Sequence, residues 1–373
     1  MKLVLIDANN LGIRSAFAQE LSVNLSKPSD HPDDFLDARN QFPTGAFHGF
    51  FKSLAMLRRR FPDRYFAIVW DGGYDCRMKL TTEAVEKGTI PETYKENRRG
   101  KAAPQQIVDF NRQRPDLIRA ISCTNIPQMM VKGEEADDTI ASYVARYRTT
   151  FETILLATED KDYFQLLSPG VSVFRQDEIY TDTDFFNAFQ ISPSQWVDVA
   201  GLMGEAGDNI FGIPGWGIQT ALEAIRTHKT CEAVLASLHS RWDYLIEKHP
   251  DLNEADFAIL ADLKTPKGKP KYPLLQKGMP FTGVAMALEK KQVKIPKADL
   301  FALMHAAKVP LAKTLKTMRI FEVPPLPGID GTPAWNRQLQ SKFLKFCAHY
   351  QLNEVSYDAE LLCAPQVDAM VSI

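Results

Sequence analysis

The chain has 373 residues, 45% hydrophobic and 24% charged, enough to bury two cores, and lacks the run of about eighteen apolar residues that a membrane-spanning helix needs. Five scattered cysteines, Cys76, Cys123, Cys231, Cys347 and Cys363, form no CxxC pair, so neither a disulfide framework nor a zinc site is expected. The net charge of −2 excludes a uniformly basic binder, yet thirteen Lys and Arg between Lys264 and Arg319 are accompanied only by Glu289 and Asp299, and eight between Lys87 and Arg119 by four acids. Basic stretches with the balancing acids gathered elsewhere suit a phosphate-binding enzyme, although a mixed-charge surface has the same composition.

In chain order, Leu3–Ile6 is the first predicted strand, and it reaches Asp7 before any signal-peptide pattern can develop, so a cytoplasmic location is expected. A helical period over Ala46–Arg60 precedes a strand at Tyr65–Trp70. Pro127–Val131 is the next strand, and Ala136, Ile140, Tyr143, Val144 and Tyr147 then share one face of a helix over Ala136–Tyr147. Strands at Thr153–Ala157 and Val171–Phe174 complete an alternation that predicts an α/β layer with a mostly parallel sheet. After about residue 190 helical pattern dominates, broken by a Lys/Pro/Gly-rich loop at Lys264–Lys271 and by Pro324–Gly328, which precedes a final small helical unit.

Acids recur where the predicted strands end. Asp7 follows the first strand, Asp71 the second, and Asp160 and Asp162 the strand at Thr153–Ala157; Glu135, Asp137 and Asp138 open a helix, and Asp208 comes later. Sites on open α/β sheets form at the carboxyl ends of strands, so these acids can converge. Each alone has a plainer reading, as a turn residue or as a complement to a helix dipole. Together they would repel by on the order of 4 kcal/mol per pair at ~4 Å and an effective dielectric of about 20, a cost that bound cations remove. Oxygen donors without His or Cys point to Mg²⁺ or Mn²⁺, and two such ions suit hydrolysis of a phosphodiester. GxxxxGK[ST], GxSxG and HExxH are all missing, and Asn9 stands where a paired-aspartate phosphatase has its second Asp.

The segments Ile6–Leu11, Pro43–Ala46, Trp70–Gly73, Tyr94–Arg98 (YKENR), Gly133–Asp138 (GEEADD), Thr158–Asp162 (TEDKD) and Gly204–Ala221 resemble, in order, the bacterial and bacteriophage 5′–3′ exonuclease/flap endonuclease family, which includes the 5′ nuclease domain of DNA polymerase I. Leu315–Pro324 and Phe343–Leu352 resemble its C-terminal end, whereas residues 230–305 match nothing in it. The resemblance implies a PIN-like (resolvase-like) core over 1–190 with a helical arch over about 75–120. A helical DNA-binding domain over 191–373 would follow, with a helix–three-turn–helix at about 197–227. Carried over by position, Asp7, Asp71, Glu135, Asp137 and Asp160 would gather around one metal ion, and Asp138, Asp162 and Asp208 would complete a second or its water shell. Where the family has GDxxDN this chain has Glu205 in place of the first Asp; the longer acid either reaches the second ion, binds through water, or is a solvated loop residue.

Glycines at Gly215 and Gly217, ahead of the helix that carries Gln219 and Thr220, would let a DNA phosphate approach free backbone N–H groups. The resemblance adds K⁺ held at this turn, and Gln219 stands where the family often has Lys. Tyr94, Lys95, Arg98, Arg99 and Lys101 mix a ring with cations, which suits a single strand: a base stacks on Tyr94 while Lys95 and Arg98 engage phosphates and assist the transition state. Arg77 resembles a further family arginine. The expected partner is DNA with a 5′ flap, a nick or a free 5′ end, acted on by a monomer in a bacterial or phage-infected cell. Two rivals stand beside this reading: a branched-DNA binding module with weak or lost cleavage, and an enzyme that removes RNA primers from RNA–DNA hybrid.

Overall fold

The computed structural model describes residues 1–18, 21–24, 41–238, 306–332 and 339–366. Its organising strand is β1 (Lys2–Asp7), whose Leu3–Ile6 are fully buried. A strand apolar on both faces belongs in the interior of a sheet covered on two sides, and β1 lies there. From edge to edge the sheet runs β5 (Gln128–Met130), β4 (Arg64–Trp70), β1, β6 (Thr153–Ala157), β7 (Val171–Arg175) and β8 (Glu178–Tyr180). Every neighbouring pair is parallel except β7 with β8. A separate antiparallel ribbon joins β2 (Ser22–Asn24) to β3 (Gln41–Pro43). The five predicted strands are all present, as is the mostly parallel arrangement, with ends displaced by a residue or two.

Val4, Ile6, Phe66, Ile68 and Trp70 enter one apolar core with α1 (Ala8–Ala18), α2 (Gly45–Arg60) and α4 (Gln105–Ile121). Between the last two helices in sequence stands α3 (Asp75–Glu86). On α5 (Ala136–Tyr147), nine of the twelve residues are buried, among them Ile140, Tyr143, Val144 and Tyr147 of the predicted face. The register sets Asp7 opposite Val69 and Ile6 opposite Ala157, so β1, β4 and β6 finish level and the acids that follow them share one edge.

The described residues form two compact units, the first drawn from Met1–Cys76, Gly100–Phe185 and Met318–Ile373, the second from Arg77–Arg99 and Phe186–Thr317. The chain thus passes between them more than once. In the first unit the returning segment fills the core: Phe343, Cys347, Tyr350 and Leu352 are buried with Phe42, Phe47 and Phe51. The Phe51 and Phe343 rings meet edge-on at 5.0 Å, and the Tyr350 hydroxyl donates to buried Asp116 at 2.7 Å.

In the second unit α6 (Asp182–Phe189) ends and α7 (Trp196–Met203) leads through the short antiparallel pair β9 (Gly204–Glu205) and β10 (Ile210–Phe211) to α8 (Ile218–His228). A helix Val309–Lys316 packs on α7, and Tyr94, Ile210, Ala312 and Leu315 make a small core. The basic loop at Lys264–Lys271 lies outside the described residues, as does most of the basic stretch after it. Among the described residues no helix is long and apolar enough to cross a membrane, and no disulfide links the cysteines.

Candidate functional site

In the first unit, two loops are stitched together by their backbones. Gly72 N–H donates to Glu134 O at 2.8 Å, Gly133 N–H to Gly72 O at 2.9 Å, and Asp75 N–H to Gly133 O at 2.9 Å. A Cβ on Gly72 would sit 1.9 Å from Val131 O, so only glycine permits this approach. The stitching sets Asp71, after β4, against the start of α5. There Asp71 Oδ1 accepts Ala136 N–H at 2.7 Å, and Oδ2 accepts the Asn9 Nδ2 group at 2.5 Å. Asp71 therefore satisfies an amide at the first turn of α5, one that a helix start leaves without an internal partner.

Asp7 is buried at the end of β1, where Oδ1 accepts Asn10 N–H at 3.0 Å and Oδ2 accepts the Tyr163 hydroxyl at 3.1 Å. Burial, with the Asp71 and Asp160 carboxylates beside it, pushes Asp7 up to about 8, against the pull of those two hydrogen bonds. Asp160 begins the turn Lys161–Leu166 by accepting Asp162 N–H at 2.9 Å, and that turn sends Tyr163 inward. Burial and the charges of Asp7, Asp137, Asp160 and Asp71 together hold the Tyr163 phenol well above its ordinary range. Four of the predicted acids thus act electrostatically on one buried phenol. Glu135, buried, is the residue immediately before α5.

Both the charge and the donor set of this cluster suit a hard cation. An acid that burial and like charges hold protonated near pH 7 becomes a carboxylate once a cation arrives. Beside Asp71, the Oδ1 of Asn9 is buried without a hydrogen-bond partner among the described residues, an acceptor facing a place where a ligand or its water would satisfy it.

Other predicted acids are engaged differently. Asp138, 1% exposed, accepts Arg319 N–H at 2.8 Å, and the Arg319 guanidinium pairs with Glu134 at 2.5 Å. Met318 N–H donates to Gln165 Oε1 at 2.9 Å, so the returning segment is tied to α5 and to the Asp160 turn together. Asp138 Oδ1 thus braces the returning segment, and accepting a backbone N–H is something Asp7 and Asp71 do as well.

In the second unit, Glu205 pairs with Lys316, which is 9% exposed. Asp208 pairs with Arg98, lies 3.8 Å from Lys95 Nζ, and accepts the Tyr94 hydroxyl at 3.2 Å. The YKENR segment is laid along this loop: Lys95 N–H donates to Asp208 O at 2.9 Å, Asn97 Nδ2 to Ala206 O at 2.7 Å, and Arg98 Nε to Gly207 O at 3.1 Å. Asn209, in the left-handed region at φ 58°, closes the clasp by donating to Glu92 and to Thr93 O.

Two expectations change as a result. Tyr94 offers no face to a base, because its ring is 4% exposed within the small core and only its hydroxyl reaches Asp208. Arg77 is buried, with Nε donated to Leu315 O at 3.0 Å, which makes it a strut between α3 and the helix Val309–Lys316.

The exposed Glu205 is paired with a nearly buried ammonium. Glu205→Gln is expected to leave the Mg²⁺ concentration for half-maximal cleavage unchanged while lowering stability by on the order of 1 kcal/mol, since the ion pair with Lys316 is lost. A metal titration together with a thermal melt checks this; a rightward shift of the titration would return Glu205 to the metal.

The glycine turn is open. A Cβ added at Gly215 (φ +81°) or at Gly217 would meet nothing within 4 Å, and Gln219 and Thr220 at the start of α8 are exposed. A cavity of about 510 Å³ lies beside them, lined by Met203, Asn209, Phe211, Ile213, Trp216 and Gly217 among others. The free amides of an eleven-residue helix therefore face open space.

Several participants were not singled out from the sequence. Tyr163 follows the TEDKD acids directly, and a phenol next to an acid pair is the one available signal. Lys316 and Arg319 sit inside the basic stretch that follows Lys264, and both are committed to ion pairs, as is Lys313, which bridges Asp198 and Glu232. Asp198, Cys231 and Glu232 come close enough together to hold a metal ion, but the Lys313 ammonium at 2.8–2.9 Å already supplies the positive charge.

Comparison with known proteins gives the same outline. The family model described as 5′-3′ exonuclease, N-terminal resolvase-like domain, matches residues 2–190, and that described as 5′-3′ exonuclease, C-terminal SAM fold, matches residues 191–263. A 5′-3′ exonuclease of Halalkalibacterium halodurans is 30% identical over 239 residues, covering 62% of this chain and 72% of that protein. DNA polymerase I of Bacillus caldotenax is 30% identical over 243 residues, which cover 64% of this chain and 24% of the polymerase. Among solved structures, one titled as divalent metal ions (zinc) bound to T5 5′-exonuclease superposes with a TM-score of 0.50 at 17% identity, covering 98% of this chain and 100% of that one.

Proposed function

This chain belongs to the 5′-3′ exonuclease family, and from that we propose that it is a divalent-metal-dependent nuclease cutting DNA near a 5′ end, at flaps and nicks as well as free termini. It is a hydrolase of phosphodiester bonds. The observation that carries the finer reading is the gathering of Asp7, Asp71, Asp137 and Asp160 about Tyr163, with Asp7 pushed up to about 8.

Asp7, Asp71, Glu135, Asp137 and Asp160 would hold Mg²⁺ or Mn²⁺, with Asp138, Asp162 and Asp208 completing a second site or its water shell. Bound there, the ions would supply a water ionised near neutral pH and a counter-charge for the leaving oxygen. The acids fix where that water and the phosphate can lie. Lys95 and Arg98 engage the phosphate that is cut and offset the charge it gains in the transition state. To do so Arg98 exchanges the Asp208 carboxylate for a phosphate, an anion of equal appetite for its guanidinium fork. Gly215, Gly217, Gln219 and Thr220 take the duplex backbone, with K⁺ at the same turn. The protein acts as a monomer within the cytoplasm, in replication or repair.

The test compares 5′-labelled flap, nicked duplex and RNA–DNA hybrid in Mg²⁺. The proposal expects cleavage of flap and nicked DNA to leave a 5′-phosphate and a 3′-hydroxyl. Efficient cutting of the hybrid alone would move the substrate to RNA primers, and tight binding of all three without cleavage would leave a branched-DNA binding protein.

A further inference from the structure

Resting on the reading of Asp7 and its neighbours as metal ligands, we propose that Tyr163 is a positioning residue for the metal centre, its hydroxyl fixing the rotation of the Asp7 carboxylate. Tyr163 is fully buried, its hydroxyl on Asp7 and its ring on the turn that Asp160 begins. The Tyr163 hydroxyl donates to Asp7 Oδ2 at 3.1 Å. Asn10 N–H takes Asp7 Oδ1 at 3.0 Å, so the two donors define the carboxylate plane from opposite oxygens.

The turn that presents the hydroxyl is itself pinned. Asp160 Oδ1 holds Asp162 N–H at 2.9 Å, Gln165 Nε2 donates to Asp162 O at 2.9 Å, and Gln165 Oε1 takes Met318 N–H at 2.9 Å. Tyr163 therefore reports the position of the Asp160 turn to Asp7, two ligands from different strands. Phe at this position would fill the same space and lose only the donor, leaving Asp7 free to turn toward or away from an ion. Outer donors of this kind orient metal ligands, and removing one typically costs about 10- to 100-fold in metal affinity.

The experiment measures Mn²⁺ affinity by calorimetry, without DNA, for the full chain, Tyr163→Phe and Asp7→Asn, with a thermal melt of each. The expected result is a loss of about 10- to 100-fold in Mn²⁺ affinity for Tyr163→Phe at an unchanged melting temperature. Single-turnover cleavage by that variant should then recover toward the native rate as Mn²⁺ is raised, with the KM for DNA unaltered. Native Mn²⁺ affinity in Tyr163→Phe beside lost affinity in Asp7→Asn overturns the inference alone. A loss that merely follows a lowered melting temperature overturns it too, since the hydroxyl is then structural. Native affinity in Asp7→Asn overturns the metal reading, and the role of Tyr163 with it.

Discussion

Asp160→Asn is expected to abolish cutting of a 5′-labelled DNA flap while DNA is still bound, and EDTA to do the same to the native protein until Mg²⁺ or Mn²⁺ is restored. The expectation follows from the position of Asp160, which lies close enough to Asp7 to raise its affinity for a proton and which begins the turn carrying Tyr163. Removing its charge takes away one ligand of a centre that contributes several kcal/mol to the transition state. A loss of about 4 kcal/mol corresponds to about a thousandfold in rate. Binding survives because the glycine turn and the start of α8 belong to another unit of the chain. In the absence of metal it is expected to tighten slightly, as one anion repelling the DNA phosphates is gone. Gel-shift affinity and single-turnover cleavage measured on the same substrate separate the two effects. Cleavage that persists in chelator would sink the mechanism.

Lys95→Ala and Arg98→Ala are expected to slow single-turnover cleavage at saturating DNA by about a hundredfold each, the equivalent of about 3 kcal/mol for one lost charge-assisted contact to a transition state. Their metal titrations stay close to native. The structure adds a second arm to this experiment. Arg98 is paired with Asp208, and the Asn97 and Arg98 side chains donate to the Ala206 and Gly207 carbonyls of the same segment. Asp208→Asn removes the carboxylate that competes with DNA phosphate for Arg98, so DNA affinity is expected to rise even where cleavage falls. If the Lys95 and Arg98 variants lose affinity alone, with a native rate at saturation, both residues are tethers and take no part in the chemistry.

The sheet and most of the acid cluster were legible because their signals are local. An apolar run of β1 length with Asp at its end is complete within seven residues, and parallel strands that finish level must bring their following residues to one edge. What escaped is non-local. Lys316 and Glu205 lie far apart in sequence, so nothing near either says that the charge of one is spent on the other. Arg319 read as part of a basic surface until its partners, Glu134 and Asp138, appeared beside it. Tyr94 shows a subtler limit: a ring among cations has the composition of a stacking platform, but composition does not say that Leu315 and Ile210 cover the ring. Glu205 departed from the family pattern at a single residue, and its buried partner supplies the physical reason that a longer acid is accommodated.

The return of the chain to its first unit bears on the order in which this nuclease comes into being. Phe47 and Phe51 of α2 emerge well before Phe343 and Tyr350, the rings that cover them. Translation at about 5–20 residues per second keeps that aromatic face uncovered for roughly 15 to 60 seconds after α2 has appeared. Arg319, which braces Glu134 against α5, also arrives late. A ribosome-bound chain thus carries the acids of the centre well before it carries the parts that steady them.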